Sequence, residues 1–225
     1  MLRIDQGKLG GFLLAIAIVS CGGAPKSVQQ ATEAAPEPQP AASIPAAQPF
    51  NPDFHEVKGN GVSLLLPPGY EGGNPQADIE AIANRLDGAG TEYEQLSEAL
   101  RESKENISLI AFDTQQATAG FVTNVNIASQ ELPKALSAQE YIGVLANQLR
   151  DLEGYAVQQT GVEVINGNEV GRLVVDIQVG DIEIVQLFYA IPNEQNFWLV
   201  RYSTPKQEFE QRRRDFEQSI LTFRF

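Results

Sequence analysis

The chain has 225 residues, of which 43% are apolar and 20% charged, a composition typical of a folding chain. Its formal net charge of −13 excludes nucleic acid as a partner, because phosphate binding depends on clustered Lys and Arg. The single cysteine, Cys21, and the single histidine, His55, exclude an intramolecular disulfide, a Cys/His zinc cage and a multi-histidine metal site, and leave oxygen-ligand metals open.

A short apolar segment near the N-terminus has the features of a secretory signal. Basic residues precede the apolar run 9–20 (LGGFLLAIAIVS), which ends at Cys21. Its length of about twelve residues suits a signal-peptide core and is too short to span a bilayer. Residues 18–21 (IVSC) resemble a bacterial lipobox, whose cysteine is acylated and becomes the new N-terminus. We therefore expect residues 1–20 to be a lipoprotein signal peptide and Cys21 to be lipidated; the alternative is an ordinary signal peptide with an incidental cysteine.

Residues 21–52 are predicted to be a disordered linker behind the lipidated cysteine. Residues 22–52 contain seven Pro and eight Ala and have no apolar periodicity. Fully extended, such a linker reaches roughly 90 Å, at about 3.1 Å per residue. We therefore expect a tethered domain, anchored in the bilayer by two or three acyl chains.

Charge and the residue after the cysteine bear on localisation. Residues 1–52 carry three acids and three bases, so the globular part, 53–225, keeps the net charge of −13. Anionic headgroups repel such a domain. Gly22 is not the aspartate that commonly retains lipoproteins in the inner membrane. We therefore expect an extracytoplasmic lipoprotein, on the outer membrane in a diderm host and on the cytoplasmic or thylakoid membrane otherwise.

The first predicted elements of the globular part are a strand and two helices. Residues 61–67 predict a short strand that prolines stop. Asn74 and Pro75 then cap and start a helix that continues to Gly88, because apolar residues recur at helical spacing. A second helix is predicted from Thr91, at a capping box.

Two strands and a helix follow. The strands are predicted at 107–113 and 121–128, and the second alternates in polarity. Ser137 and Glu140 form a capping box that opens a helix, and Gly154 closes it.

An antiparallel meander comes next. Its four strands are predicted at 155–165, 169–179, 182–191 and 197–203. The hairpin signal Asn166-Gly167 joins the first two. The last two are apolar on both sides and need cover on both faces of a sheet. We therefore expect Trp198 to be largely buried.

The chain ends in a helix and a predicted strand. The helix is predicted to have Thr204 as its N-cap and Pro205 as its first residue, and Phe209 and Phe216 are predicted to face the core. Residues 221–225 alternate and predict a closing edge strand. The fold class is α+β, with an antiparallel sheet of about six to seven strands and helices packed on both faces.

The order of these elements and several short motifs resemble the PsbP-like family, which includes Mog and DcrB-type proteins. The motifs are LPPGY, NVNI, S-x-x-E-Y, ING-x-x-x-G-R-L, Q-L-F-Y and ILTF, within residues 56–225. The resemblance implies a PsbP-like α/β/α sandwich. Members range from photosystem II accessory subunits to envelope lipoproteins, so it implies an accessory or assembly role in the cell envelope or thylakoid lumen. The segment 74–104 is longer than in compact members. No family metal ligand is carried over, because His55 lies in no motif that fixes its role.

The acidic residues of the meander are the candidate ligands for a metal. They are Glu169, Asp176, Asp181 and Glu183. Such oxygen ligands suit a weakly held divalent cation such as calcium. The alternative is a solvated rim of the sheet. No other cofactor is expected.

Two further polar patterns each allow an ordinary structural explanation. The run Arg212–Arg214 suggests anion binding, but pairs at i,i+4 spacing neutralise it locally. These pairs are Glu208–Arg212, Glu210–Arg214 and Arg213–Glu217. Asn124 and Asn126 form a polar row that lies either at a ligand pocket or on a solvent-facing strip, and we expect the strip.

The sequence supports binding rather than catalysis. It contains no G-x-S-x-G, no P-loop and no G-x-G-x-x-G after a strand. We expect a monomeric, non-catalytic domain that binds an envelope protein. The alternatives are a small-ligand-binding lipoprotein, including a transporter's solute-binding component, and a carboxylate-based hydrolase that uses two approaching acids.

Overall fold

The computed structural model describes residues 51–87, 101, 104–118, 121–132, 135–194 and 196–225. Cys21, the signal peptide and all but the last two residues of the predicted linker lie outside these ranges, as does the start of the helix predicted from Thr91. None of the helices within them has the length and apolarity that crossing a membrane requires.

Nine strands and three α-helices have their bounds within the described ranges. The strands are β1 (His55–Lys58), β2 (Ser63–Leu66), β3 (Tyr70–Gly73), β4 (Leu109–Thr118), β5 (Phe121–Glu131), β6 (Tyr155–Ile165), β7 (Asn168–Val179), β8 (Ile182–Asn193) and β9 (Asn196–Pro205). The helices are α1 (Pro75–Asp87), α2 (Ala138–Arg150) and α3 (Phe209–Ile220).

Seven of the strands form one antiparallel sheet, in the order β3-β4-β5-β9-β8-β7-β6. β1 and β2 form a separate antiparallel pair. The predicted α+β class is confirmed, as is the meander from β6 to β9. In this order β6 and β3 are the two edges of the seven-stranded sheet.

The β6–β7 hairpin closes through the turn that the sequence predicts. Ile165 pairs with Asn168, leaving Asn166 and Gly167 as a two-residue loop. Both loop residues have positive φ, 51° and 82°. These angles are those of a type I′ turn, which fits the right-handed twist of the flanking strands.

Helix α2 covers one face of the sheet. Its capping box is formed as predicted, because the Glu140 N–H donates to Ser137 Oγ while the Ser137 N–H donates to Glu140 Oε2. The Tyr141 ring stacks on Phe197 with ring centroids 4.2 Å apart. A Cβ at Gly171 would lie 3.0 Å from the Ile142 side chain, so glycine lets the helix approach β7 closely.

Helix α3 and the β1–β2 pair cover the opposite face. Phe216 of α3 is buried and stacks on Tyr202 of β9, with ring centroids 4.7 Å apart. Leu64 and Leu66 of β2 belong to the same apolar cluster. The sheet therefore has cover on both faces, as the two-sided apolar strands predict.

Several boundaries differ from the sequence prediction. The strand predicted at 61–67 belongs to the small sheet, and the unpredicted β3 takes its place at the edge of the large one. β3 was missed because Gly72 and Gly73 are typical of turns. Within the strand, a Cβ at Gly72 would collide with the Ile110 carbonyl, so glycine is required there.

The C-terminal helix also begins later than predicted. Thr204 and Pro205 extend β9 by pairing with β8, a 3₁₀ turn follows, and α3 begins at Phe209. The prediction of a closing edge strand at 221–225 is wrong. The backbone still turns after α3, since the Phe223 N–H donates to the Ile220 carbonyl, and only one bridge to β2 remains.

Candidate functional site

The strand register brings two of the four acidic metal candidates, Asp176 and Glu183, to one lysine and places Glu169 apart from them. Glu169 pairs with Val164 near the β6–β7 turn, whereas Asp176 lies towards the other end of β7. Asp176 and Glu183 both contact Lys206 Nζ, at 3.1 and 3.3 Å, and Asp181 lies in the β7–β8 turn. The described ranges hold no group of three or more His, Cys, Asp or Glu side chains arranged to hold a metal ion.

His55 makes a structural contact at the start of β1. Its side chain is largely exposed, and its Nε2 donates a hydrogen bond to the Tyr70 carbonyl oxygen at 2.9 Å. This bond links β1 to β3.

The asparagine pair of β5 is buried, so the predicted solvent-facing strip is wrong. Asn124 and Asn126 are 1% and 0% exposed, because β5 is an inner strand between β4 and β9. With its amide oriented so that Oδ1 faces Arg201, Asn126 accepts from Nε and Nη2 at 3.0 Å each. Burial lowers the pKa of Arg201 to about 10. These groups lie on the α2 side of the sheet and specify a buried polar core.

A second buried arginine lies on the α3 side. Arg172 of β7 contacts Glu163 of β6 at 3.4 Å and Glu217 of α3 at 3.6 Å, and Glu217 also binds Arg213 at 2.8 Å. Burial raises the pKa of Glu163, while the attraction of Arg172 lowers it. The two carboxylates that share Arg172 are thus both engaged by guanidinium groups.

The arginine run of α3 is neutralised by two of the three predicted pairs. Arg212 bonds Glu208 at 2.6 Å and Arg213 bonds Glu217; the described residues form no Glu210–Arg214 pair. Arg212 also reaches buried Asp113 of β4 at 2.8 Å. No signal in the sequence predicted this last contact, because its partners are distant along the chain.

A cavity lies at the end of the sheet beside the β6–β7 turn, and we call it the turn-end pocket. Its volume is about 290 Å³. Its apolar walls are Ile165, Val170, Ile191, Ile220, Phe223 and Phe225. Its polar lining is Asn166, Asn168 and Arg224. It therefore combines an apolar interior with two amides and one cationic side chain.

Exposed apolar side chains gather at this same end. In the described part of the chain, the exposed large apolar residues are Val164 at 72%, Leu221 at 36% and Phe225 at 59%. Val164 lies one residue before the end of β6, and the Leu221 carbonyl accepts from Asn166 Nδ2 at 2.9 Å. Phe225 lines the turn-end pocket and Leu221 lies beside its Asn166, whereas Val164 alternates with Ile165 and therefore lies on the opposite face of the sheet.

Trp198 packs on two wall residues of the pocket, Phe223 and Phe225, and is only half-buried, so the predicted burial holds in part. Its ring centroid lies 6.4 Å from that of Phe223 and 6.3 Å from that of Phe225. The indole Nε1 is buried and has no hydrogen-bond partner among the residues that the structure describes. The sequence missed this site because the pocket walls come from three separate segments, 165–170, 191 and 220–225, and residues 221–225 were interpreted as a strand.

Comparisons with solved structures gave matches of low sequence identity. PsbP from Synechocystis sp. PCC 6803 matches with a TM-score of 0.47 and 13% identity, over 82% of this chain and 97% of that one. LpqN of Mycobacterium tuberculosis, described as involved in cell envelope biogenesis, matches with a TM-score of 0.47 and 9% identity, over 76% and 88%. Both matches have sequence identities below 25% and concern the fold alone. No protein-family model and no curated protein matches the sequence.

Proposed function

We propose that this chain is an extracytoplasmic lipoprotein, tethered through acylated Cys21, whose folded domain is a non-catalytic module that binds a protein of the cell envelope. The tether is supported by the lipobox-like residues 18–21 and by the proline- and alanine-rich segment behind them. Gly22 favours the outer membrane in a diderm host. The binding role is carried by one observation, the turn-end pocket with its exposed apolar mouth.

The size of the pocket favours a small anchoring group. Sites for small molecules commonly measure roughly 300–1,000 Å³, and this pocket lies just below that range at about 290 Å³. Protein interfaces frequently concentrate their affinity in one aromatic or aliphatic side chain that fills such a pocket. We therefore infer that an apolar side chain of the partner enters between Ile191 and Phe225.

Trp198 makes the pocket measurable, because it is the only tryptophan in the chain. The full-length chain is reconstituted in phosphatidylcholine vesicles and titrated with N-acetylphenylalanine amide, a neutral mimic of a side chain. We expect a saturable change in Trp198 emission, since its ring lies 6.3 Å from Phe225. Phe225→Ala should weaken binding about tenfold, the scale of a lost interface anchor. Leu152→Ala, at a partly buried residue on the α2 side of the sheet and away from the pocket, is the matched control and should bind as the wild type does.

A second candidate is favoured by the cationic side chain at the pocket. Arg224 beside an apolar cavity also suits a small anionic amphiphile. N-acetylphenylalanine, which carries a carboxylate, distinguishes the two. If N-acetylphenylalanine binds within about threefold of the affinity of the amide, the result supports a protein side chain as the natural occupant. If N-acetylphenylalanine binds more than about tenfold more tightly, a difference of about 1.4 kcal/mol, the result supports the anionic ligand. An unchanged emission with both probes would overturn the pocket as a binding site.

A further inference from the structure

The two edges of the seven-stranded sheet differ in length. β3 has four residues, whereas β6 has eleven. Within the described ranges β6 pairs with β7 alone. An edge strand presents unpaired N–H and C=O groups, and a short strand limits that exposure. β6 is therefore the edge at which an added strand has the longest backbone to pair with.

The hairpin register fixes which β6 groups point away from β7. A two-residue turn closes on a pair that exchanges both backbone hydrogen bonds, which here is Ile165 with Asn168. Such pairs alternate with non-hydrogen-bonded pairs along an antiparallel ladder. Val164, Val162 and Thr160 are opposite Glu169, Gly171 and Leu173 in the alternate positions. Their N–H and C=O groups therefore point outward.

The usual protection of an edge is missing from this part of β6. Edge strands are commonly guarded by lysine, proline or a bulge. Glu163 is the only charged residue among the eleven, and it is buried against Arg172. The bulge lies between Val157 and Gln159, so residues 159–165 form a regular stretch beyond it.

The net charge of the chain indicates which kind of partner would add a strand to the β6 edge. The net charge of −13 disfavours a second copy of the same domain and favours a basic partner. Val162 and Val164 share one face of the strand, so apolar or β-branched residues suit the same face of an added strand. Ile165 ends β6 and lines the turn-end pocket, so the added strand would run beside it.

We propose that residues 159–165 accept an extended segment of a basic partner protein as an eighth strand of the sheet. Main-chain hydrogen bonds would supply affinity, and alternate side chains would supply specificity. This inference rests on the proposed binding role and names how the partner is held.

The probe is a synthetic peptide of alternating valine and threonine with two lysines at each end. It is added to the full-length chain in vesicles, and backbone hydrogen exchange is followed by mass spectrometry. The amides of Thr160, Val162 and Val164 should exchange at least about tenfold more slowly at saturation, because each becomes hydrogen-bonded. The same peptide with alternate N-methylated amides should give no protection.

Two variants of one residue test the backbone directly. Val162→Pro removes an outward N–H and no bond to β7, a substitution that edge strands tolerate. It should weaken the peptide by about tenfold, through one lost hydrogen bond and added strain. Val162→Thr keeps the N–H and should retain the wild-type affinity. The N-methylated peptide needs no variant and keeps the test decisive if Val162→Pro does not fold.

Other outcomes would overturn the inference. Equal binding of the N-methylated peptide, or protection elsewhere than 159–165, would exclude strand addition. Concentration-dependent dimerisation that protects β6 without peptide would assign the edge to a second copy. If the phenylalanine probe still shifts Trp198 emission while the lysine peptide fails, the strand site alone is wrong; if both fail, so does the proposed binding role.

Discussion

Ser63 and Arg224 exchange two backbone hydrogen bonds. The Ser63 N–H donates to the Arg224 carbonyl at 2.9 Å, and the Arg224 N–H donates to the Ser63 carbonyl at 3.0 Å. This bridge attaches the segment behind α3 to β2 and fixes Phe223 and Phe225 at one wall of the turn-end pocket. The site's geometry therefore depends on how α3 is held against the small β1–β2 sheet.

Replacing Ser219 by alanine should destabilise that attachment. The Tyr202 hydroxyl donates to Ser219 Oγ at 3.0 Å, and Ser219 Oγ donates to the Leu65 carbonyl at 2.7 Å. Ser219→Ala leaves both partners without their bond inside the core, which should lower the free energy of unfolding by about 1–3 kcal/mol. Urea denaturation measures it, with Gln211→Ala on the exposed face of α3 as control. A Ser219→Ala midpoint equal to that of the control would contradict this role.

Replacing Phe216 by alanine should destabilise the domain more than replacing Trp198. Both side chains pack in the apolar cluster on the α3 side of the sheet. Phe216→Ala should cost about 3–5 kcal/mol, because Phe216 is buried and stacks on Tyr202. Trp198→Ala should cost about 2 kcal/mol, below that range, because the indole is half-buried. Parallel denaturant melts compare them. Equal losses would mean that Trp198 is a full member of the core, as the sequence predicted.

Local patterns predicted most of the fold. A few adjacent residues are enough to determine each of the features that were predicted correctly. These features are the Ser137–Glu140 capping box, the Asn166-Gly167 turn and the two-sided apolar strands. The Arg212–Asp113 pair and the walls of the turn-end pocket join segments that only the folded chain brings together. The burial of Asn124 and Asn126 could not be predicted either. Their polar–apolar alternation would be the same on an exposed strand as on an inner strand that packs on a polar core.

The stability of the domain should depend on pH through Glu163. Burial raises the pKa of this carboxyl in the folded state, with Arg172 opposing the effect. A raised folded pKa contributes stability that is complete below the unfolded value, and this contribution is lost as the pH rises through the folded value. Glu163→Gln removes it, so the wild type should gain stability relative to the variant as the pH falls from about 7.5 to about 5.

Urea denaturation at several pH values within that interval measures the difference. Glu169→Gln removes a carboxylate from the exposed surface and is the matched control. A wild-type advantage over Glu163→Gln that stays constant, or shrinks towards pH 5, would contradict the account.

The proposed membrane attachment depends on a lipid at Cys21, and membrane sedimentation of the full-length chain measures that attachment. Wild type and Cys21→Ser are expressed side by side, and membranes are collected after a high-salt wash that removes electrostatically bound protein. Because Cys21 is the only cysteine and the proposed acylation site, the wild type should sediment and Cys21→Ser should remain in the supernatant. A Cys21→Ser protein that still sediments after the wash would show that the chain is held at the membrane by something other than a lipid on Cys21.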